Sequence, residues 1–227
     1  VIETLLPGGV VTVEAHGHDE TGHGPLYPGE AELVERAVAK RRREFTVVRS
    51  CARRAMERLG VPPQAVLRGE RGVPLWPDGL IGSMTHCDGF CAAALAHATE
   101  LASLGIDAEP HGPLPEGVLA AVALPPEAER LRGLSARRPE VHWDRLLFSA
   151  KESVYKAWFP LTGKWLDFSE ADIEIVPDAG GSAATGALRA ELLVPGPTVS
   201  GRRLTHFEGR WTARDGLVAT AITVPHG

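Results

Sequence analysis

Between Glu30 and Leu59 the apolar residues recur at helical spacing. Leu33, Val34, Ala37, Val38, Phe45, Val48, Ala52, Ala55 and Leu59 fall on one periodic stripe. Gly60, followed by Pro62 and Pro63, stops the run. This predicts a long helix over 30–59, with room for a break in its middle. The period then changes to two. "LIGSMTH" and "FCAAALAHA" read as strands around a "CDG" turn, and "LASLGIDAEP" as a third strand ending at Pro110. Residues 110–142 are proline-rich and read mostly as connector, with a short helix at "PEAERLRGL". A second helix is predicted over 144–158, with Asp144 as its N-cap and Pro160 ending it. "ADIEIVP", "ALRAELLVP", "RRLTHFEGRWTAR" and "LVATAITVP" then alternate as strands. Helix followed by strands thus occurs twice. The expectation is an α+β fold of two similar halves, 1–104 and 105–227.

Composition narrows the classes. A 44% hydrophobic and 23% charged chain of 227 residues can bury a real core. A net charge of −5 excludes a molecule built to coat nucleic acid, so any anion site must be local. No apolar run approaches the ~20 residues of a membrane-spanning helix. The opening "VIETLLPGGV" has no basic segment before an apolar core, so no signal peptide is expected. Cys51, Cys87 and Cys91 are too few, and odd in number, for a disulfide framework, which fits a reducing cytoplasm.

Several motifs carry possible chemistry, each beside a plainer reading. His16, His18 and His23 lie in a Gly- and Pro-rich stretch and read as a solvated loop rather than a metal site. Cys51, His86, Cys87 and Cys91 fit no zinc spacing. Arg41, Arg42, Arg43, Arg49, Arg53 and Arg54 crowd the first helix, either as a solvated basic face or as a phosphate-binding wall. In "GIDAEP", Asp107 and Glu109 are two apart on a strand and point to the same side. Two like charges held together are either solvated acids at a strand end or ligands of a cation. In "FSAKESVYKAW", Glu152 and Lys156 are i,i+4 neighbours. As a surface pair they would contribute only a few tenths of a kcal/mol. With Asp107 and Glu109, Glu152 would complete a set of hard oxygen ligands suited to Mg²⁺ beside a phosphate. Lys156 would then meet a phosphate oxygen. His86 reads alone as a structural histidine, but beside Ser83 and Thr85, and near Arg68 and Arg71, it could join a phosphate site as a donor. There is no GxxxxGK[ST] loop and no GxGxxG fingerprint, so ordinary nucleotide folds are disfavoured.

"GVPLWPDGLIGSMTHCDGF", "LGIDAEP" and "FSAKESVYKAW" stand in the order and spacing of three motifs of the 4′-phosphopantetheinyl transferases. With "KRRREFTVVRSCAR" ahead of them, the chain resembles the large, Sfp-type class, near its EntD and actinobacterial PptT branches. The resemblance runs from about Ala39 to Trp165. It implies a monomeric pseudo-dimer with its active site in the cleft between the two subdomains. It also implies transfer of the phosphopantetheine arm of coenzyme A to a serine of apo acyl or peptidyl carrier proteins, releasing 3′,5′-ADP. The implied carriers serve fatty-acid, polyketide, peptide and siderophore synthesis. By similarity, Asp107, Glu109 and Glu152 hold Mg²⁺, or Mn²⁺, and Lys156 reaches the phosphate bridge. Arg41, Arg49, Thr85 and His86 contact the phosphates of coenzyme A, and Arg53, Arg68 and Arg71 lie near its adenine and 3′-phosphate. Trp165 and Phe168 line the pantetheine and carrier side, and Glu152 is the candidate base. Two rivals use the same residues: a Mg-dependent coenzyme A or nucleotide pyrophosphohydrolase, and a non-catalytic binding module.

Overall fold

The computed structural model describes residues 1–17, 22–179 and 184–227. Strand β1 (Val11–His16) precedes helix α1 (Ala39–Arg58), which is followed by β2 (Leu80–Cys87) and β3 (Phe90–His97). Strand β4 (Leu101–Pro110) precedes the helices α2 (Val118–Val122), α3 (Pro125–Arg137) and α4 (Trp143–Thr162). The strands β5 (Ala171–Pro177), β6 (Ala184–Leu192), β7 (Thr198–Val199), β8 (Arg202–Arg203), β9 (His206–Arg214) and β10 (Leu217–Pro225) complete the chain.

The repeat of pattern becomes a repeat of topology. The first sheet has the order β1-β3-β2, and the second has β4-β10-β9-β6-β5, so in each half the strand that precedes the long helix pairs with the last strand, which forms a hairpin with the strand just before it. Both long helices have 20 residues. Helix α1 covers the first sheet through Cys51, Ala52, Ala55 and Met56, against Val13, Ala93 and Leu95. Helix α4 covers the second through Leu147, Val154 and Trp158, against Val218, Ile222 and Trp211. A third apolar core joins the halves, where Ala92, Ala94 and Ala96 of β3 meet Leu104, Ile106 and Ala108 of β4. Residues two apart share a strand face, so alternate residues of β3 serve two different cores. That is why "FCAAALA" is apolar on both faces and mostly small.

Five sequence expectations are corrected. Strand β4 pairs with β10 along its whole length, from Leu101 to Pro110, so it belongs entirely to the second half and a boundary at 104/105 would cut through it. His16 belongs to β1 rather than to a loop, while His18 lies outside the described residues. The 110–142 connector holds α2 as well as α3. Helix α4 does not stop before Pro160. It continues to Thr162 and ends on Gly163, whose φ of 63° suits a left-handed cap. Asp144 sits in its first turn and accepts the Leu114 N–H at 2.8 Å instead of capping the helix.

Candidate active site

The site forms where β2 runs beside β4 without ladder hydrogen bonds between them. Two hydroxyls replace the missing partners: Ile106 N–H donates to Ser83 Oγ and Ala108 N–H donates to Thr85 Oγ1, each at 3.1 Å. Thr85 in turn donates to Asp107 Oδ1 at 3.3 Å. Buried Thr85 therefore orients an acid and is not free to contact a phosphate, which corrects its expected role. Helix α4 approaches β4 so closely at Gly105 that a Cβ there would lie 2.0 Å from the Ser153 carbonyl oxygen. This contact sets the height of α4 over the acids of β4.

Along α4, Arg145, Ser149, Glu152 and Lys156 follow a 4-3-4 spacing and share one face. Lys156 Nζ reaches Asp107 Oδ1 at 2.8 Å and the Ile106 carbonyl oxygen at 3.0 Å. Arg145 donates to Glu109 Oε2 at 3.1 Å and to the carbonyls of Gly112 and Pro113. Burial and the neighbouring Asp107 raise the Glu109 carboxyl above its usual range, against the pull of Arg145. Glu152 is raised by burial, opposed by Lys156 and reinforced by Asp107. The second oxygen of Asp107 is buried and has no hydrogen-bond partner.

Next to these acids a cleft of about 400 Å³ opens between the halves. Arg41, Arg49, Arg68, Arg71 and His86 line it from the first half, and Glu152, Tyr155 and Lys156 from α4. Arg49 stacks over Phe45 at 3.8 Å and donates to the Val66 carbonyl at 3.2 Å. Burial pushes its guanidinium down to about 10; Glu30 opposes this, and Arg68 and Arg41 add to it. Arg41 contacts His86 directly. Burial, followed by the fields of Arg41, Lys156, Arg49 and Arg68, pushes the His86 imidazole down to about 4. Cations that depress one another's protonation form a cluster short of counter-charge, and an anion would relieve it.

Arg53 is taken elsewhere. It is buried against Glu30 at 2.7 Å, donates to the Pro25 carbonyl and lies over the Tyr27 ring. One full turn beyond Arg49, the helix has already carried it out of the cleft. Trp165 is exposed and packs on Tyr155, with Arg71 5.8 Å from its ring centre. Phe168 packs on Phe148. The three cysteines are free, and burial pushes their thiols up, to about 11 for Cys51 and about 12 for Cys87 and Cys91. Sequence reasoning missed Arg145, although the 4-3-4 spacing along α4 was the available signal. Among the described residues no His, Cys, Asp or Glu trio is closed into a ready coordination cluster. Asp107 and Glu109 are each held by an internal cation instead. The donor set still fits a hard cation: carboxylate oxygens only, one of them buried and unpartnered.

Comparison with known proteins decides the family. Residues 29–96 match the model of the 4′-phosphopantetheinyl transferase N-terminal domain, and residues 103–213 that of the 4′-phosphopantetheinyl transferase superfamily. The chain belongs to the 4′-phosphopantetheinyl transferases. It is 60% identical over 227 residues to 4′-phosphopantetheinyl transferase Svp of Streptomyces mobaraensis, covering 99% of this chain and 89% of that protein. Over 228 residues it is 47% identical to 4′-phosphopantetheinyl transferase PptT of Mycobacterium tuberculosis, covering 99% and 98%. Enterobactin synthase component D of Salmonella typhi is 31% identical over 136 residues, 60% of this chain and 56% of that protein. The mixed α/β architecture is that of the two-subdomain phosphopantetheinyl transferase fold, and the activity class is transfer of phosphopantetheine to carrier proteins. Among the described residues of this transferase, no helix is long and apolar enough to cross a membrane.

Proposed function

We propose that the cleft binds coenzyme A and that the neighbouring acids hold Mg²⁺ while a serine of an apo acyl or peptidyl carrier protein attacks. The observation that carries this reading is the buried, unpartnered Asp107 Oδ2, set among acids beside a cation-lined cleft. Asp107, Glu109 and Glu152 would hold the metal, with Mn²⁺ an acceptable substitute. When bound, the ion neutralises charge that builds on the pyrophosphate during transfer. Arg41, Arg49, Arg68, Arg71 and His86 bind phosphates, and Lys156 exchanges Asp107 for an oxygen of the transferred phosphoryl group. The work of these side chains is mainly positioning and electrostatic stabilisation.

Glu152 takes the proton of the serine hydroxyl, directly or through a water, as the serine oxygen bonds to the phosphorus that bears pantetheine. The bond from that phosphorus to the bridging oxygen breaks, and 3′,5′-ADP leaves with the electron pair. Trp165, Phe168 and Lys164 form the side that meets the pantetheine arm and the carrier. We read the enzyme as a cytoplasmic monomer whose free thiols stay reduced. The test mixes protein, coenzyme A, Mg²⁺ and a panel of apo carriers from fatty-acid, polyketide and peptide synthases, and weighs the carriers. A gain of one phosphopantetheine arm on serine is expected. Release of 3′,5′-ADP without a carrier would point to the pyrophosphohydrolase, and binding without turnover to a binding module.

A further inference from the structure

Two buried acid–cation pairs lie outside the chemistry described so far, one in each half. In the first, Glu30 pairs with Arg53 at 2.7 Å, their side chains 0% and 7% exposed. Glu30 Oε2 also accepts the N–H of Tyr27, three residues before it, at 2.8 Å, and Oε1 accepts the N–H of Val66 at 2.8 Å. In the second, Glu127 pairs with Lys151 at 2.8 Å, their side chains 0% and 2% exposed. Glu127 Oε2 accepts the N–H of Leu124, again three residues before it, at 2.7 Å, and Oε1 accepts the N–H of Ile173 at 2.7 Å. Each cation sits on the long helix of its half, Arg53 on α1 and Lys151 on α4. Each also donates to backbone carbonyls: Arg53 to Pro25, Lys151 to Phe168 and Ala171. Acid, preceding N–H, helix cation and a backbone N–H beyond the helix recur in both halves, the cation meeting the oxygen that also accepts Tyr27 in the first and the one that also accepts Ile173 in the second.

The backbone groups held in this way are the roots of two loops that face each other. In the first half, Val66 is fixed at its N–H by Glu30 and at its carbonyl by Arg49, and the chain beyond it carries Arg68 and Arg71 into the cleft. In the second, Phe168, Ala171 and Ile173 are fixed, and the chain just before them carries Trp165. Arg71 lies over Trp165, so the two loops meet across the mouth of the cleft. A buried ion pair is a poor device for stability alone, because desolvation offsets most of its attraction. Its directional bonds do fix geometry.

We infer that Glu30–Arg53 and Glu127–Lys151 are one positioning device used twice, holding the nucleotide-side loop in one half and the carrier-side loop in the other. The inference rests on the transferase reading above. It assigns these four residues as positioning residues that touch no substrate.

The test uses Glu30→Gln and Glu127→Gln. An amide offers one acceptor oxygen where the carboxylate offers two, so each variant must release a backbone N–H or its cation. Amide hydrogen exchange followed by mass spectrometry, with no ligand present, should show exchange at least tenfold faster over 66–75 in Glu30→Gln. The same acceleration should fall on 163–173 in Glu127→Gln, with the opposite loop unchanged in each case. Affinity for 3′,5′-ADP should fall at least tenfold in Glu30→Gln and stay within twofold in Glu127→Gln. The latter should instead raise KM for the apo carrier more than it lowers kcat. Should a Gln variant fail to fold, Glu30→Asp and Glu127→Asp keep the charge, shorten the reach and give the same local readouts. Uniform acceleration along the whole chain, or no change in either loop, would overturn the inference. A wild-type protein that does not bind 3′,5′-ADP would refute the transferase reading instead, and the ligand-free exchange pattern would still decide the positioning role.

Discussion

Replacing Gly105 by Ala should damage catalysis more than nucleotide binding. Gly105 lies in β4 two residues before Asp107, with α4 directly above it. The added Cβ would sit 2.0 Å from Ser153 O, 2.7 Å from Ala157 N and 3.1 Å from Lys156 Cβ. Real Cβ atoms essentially never come closer than 3.0 Å, and two of these atoms are backbone that cannot rotate away. Helix α4 must therefore lift by roughly 1 Å, at a cost of about 1–3 kcal/mol for overpacking. The same shift carries Glu152 and Lys156 away from Asp107, and a displacement of that size costs about 100-fold in rate. The arginines and His86 belong to the first half, so 3′,5′-ADP affinity should fall by no more than about threefold. Thermal unfolding, a time course of holo-carrier formation and calorimetric titration with 3′,5′-ADP measure the three quantities. Gly133→Ala in α3 is the control: nothing lies within 4 Å of its new Cβ, and replacing a mid-helix glycine should stabilise by about 0.5–1 kcal/mol without affecting turnover. A Gly105→Ala enzyme with wild-type kcat/KM would refute the claim that this contact sets the geometry of the site.

Two further predictions follow from the electrostatics. Glu152→Gln should abolish transfer with only a modest loss of coenzyme A binding; near-normal turnover in carrier mass assays would remove Glu152 from both its ligand and its base roles. His86 titrates at about 4 in the folded protein against 6.5 ordinarily, so between those values the unfolded chain binds a proton that the folded chain does not. Stability should therefore fall as pH drops from 6.5 towards 4. The shift corresponds to about 3.4 kcal/mol before screening, and to ~1–2 kcal/mol for a side chain 34% exposed. Denaturant titrations at pH 7 and 4.5 should show a shallower loss in His86→Gln, and equal slopes in the two proteins would contradict the assignment.

Local patterns in the chain revealed those parts of the site that depend on one element at a time. The i,i+2 acids of "GIDAEP" and the i,i+4 pair of "KESVYK" follow from strand and helix periodicity, and Asp107, Glu152 and Lys156 do converge. What could not be read there depends on partners distant in sequence. Arg49 and Arg53 share a helix face, yet Glu30, 23 residues before Arg53, draws one of them out of the cleft. Thr85 has the chemistry of a phosphate donor, but its hydroxyl is used by Asp107 and Ala108 across the seam, 22 and 23 residues away. Pro160 carries a stop signal that applies to an isolated helix. Here Gly163 N–H bonds the Phe159 carbonyl at 2.8 Å and Thr162 Oγ1 the Trp158 carbonyl at 3.1 Å, so the last turn survives.

The two halves bring opposite charges to the seam. The first supplies Arg41, Arg49, Arg68 and Arg71 around His86, and the second Asp107, Glu109 and Glu152, with Lys156 reaching across from the acidic side. In a chain of net charge −5 such separation is not a product of composition. Direct pairing across the seam would cancel it, yet the cations that Asp107 and Glu109 meet, Lys156 and Arg145, are both on α4 of their own half, while Arg49 and Arg68 lie over Phe45 and repel one another. At an effective dielectric near 20, unit charges 4 Å apart interact by about 4 kcal/mol before desolvation. Leaving the arginines short of counter-charge and Asp107 Oδ2 buried without a partner is therefore a real cost of the fold. A molecule that presents phosphates to one wall and shares a divalent cation with the other removes both costs at once. The pyrophosphate of coenzyme A has that distribution of charge, and a neutral or singly charged substrate does not.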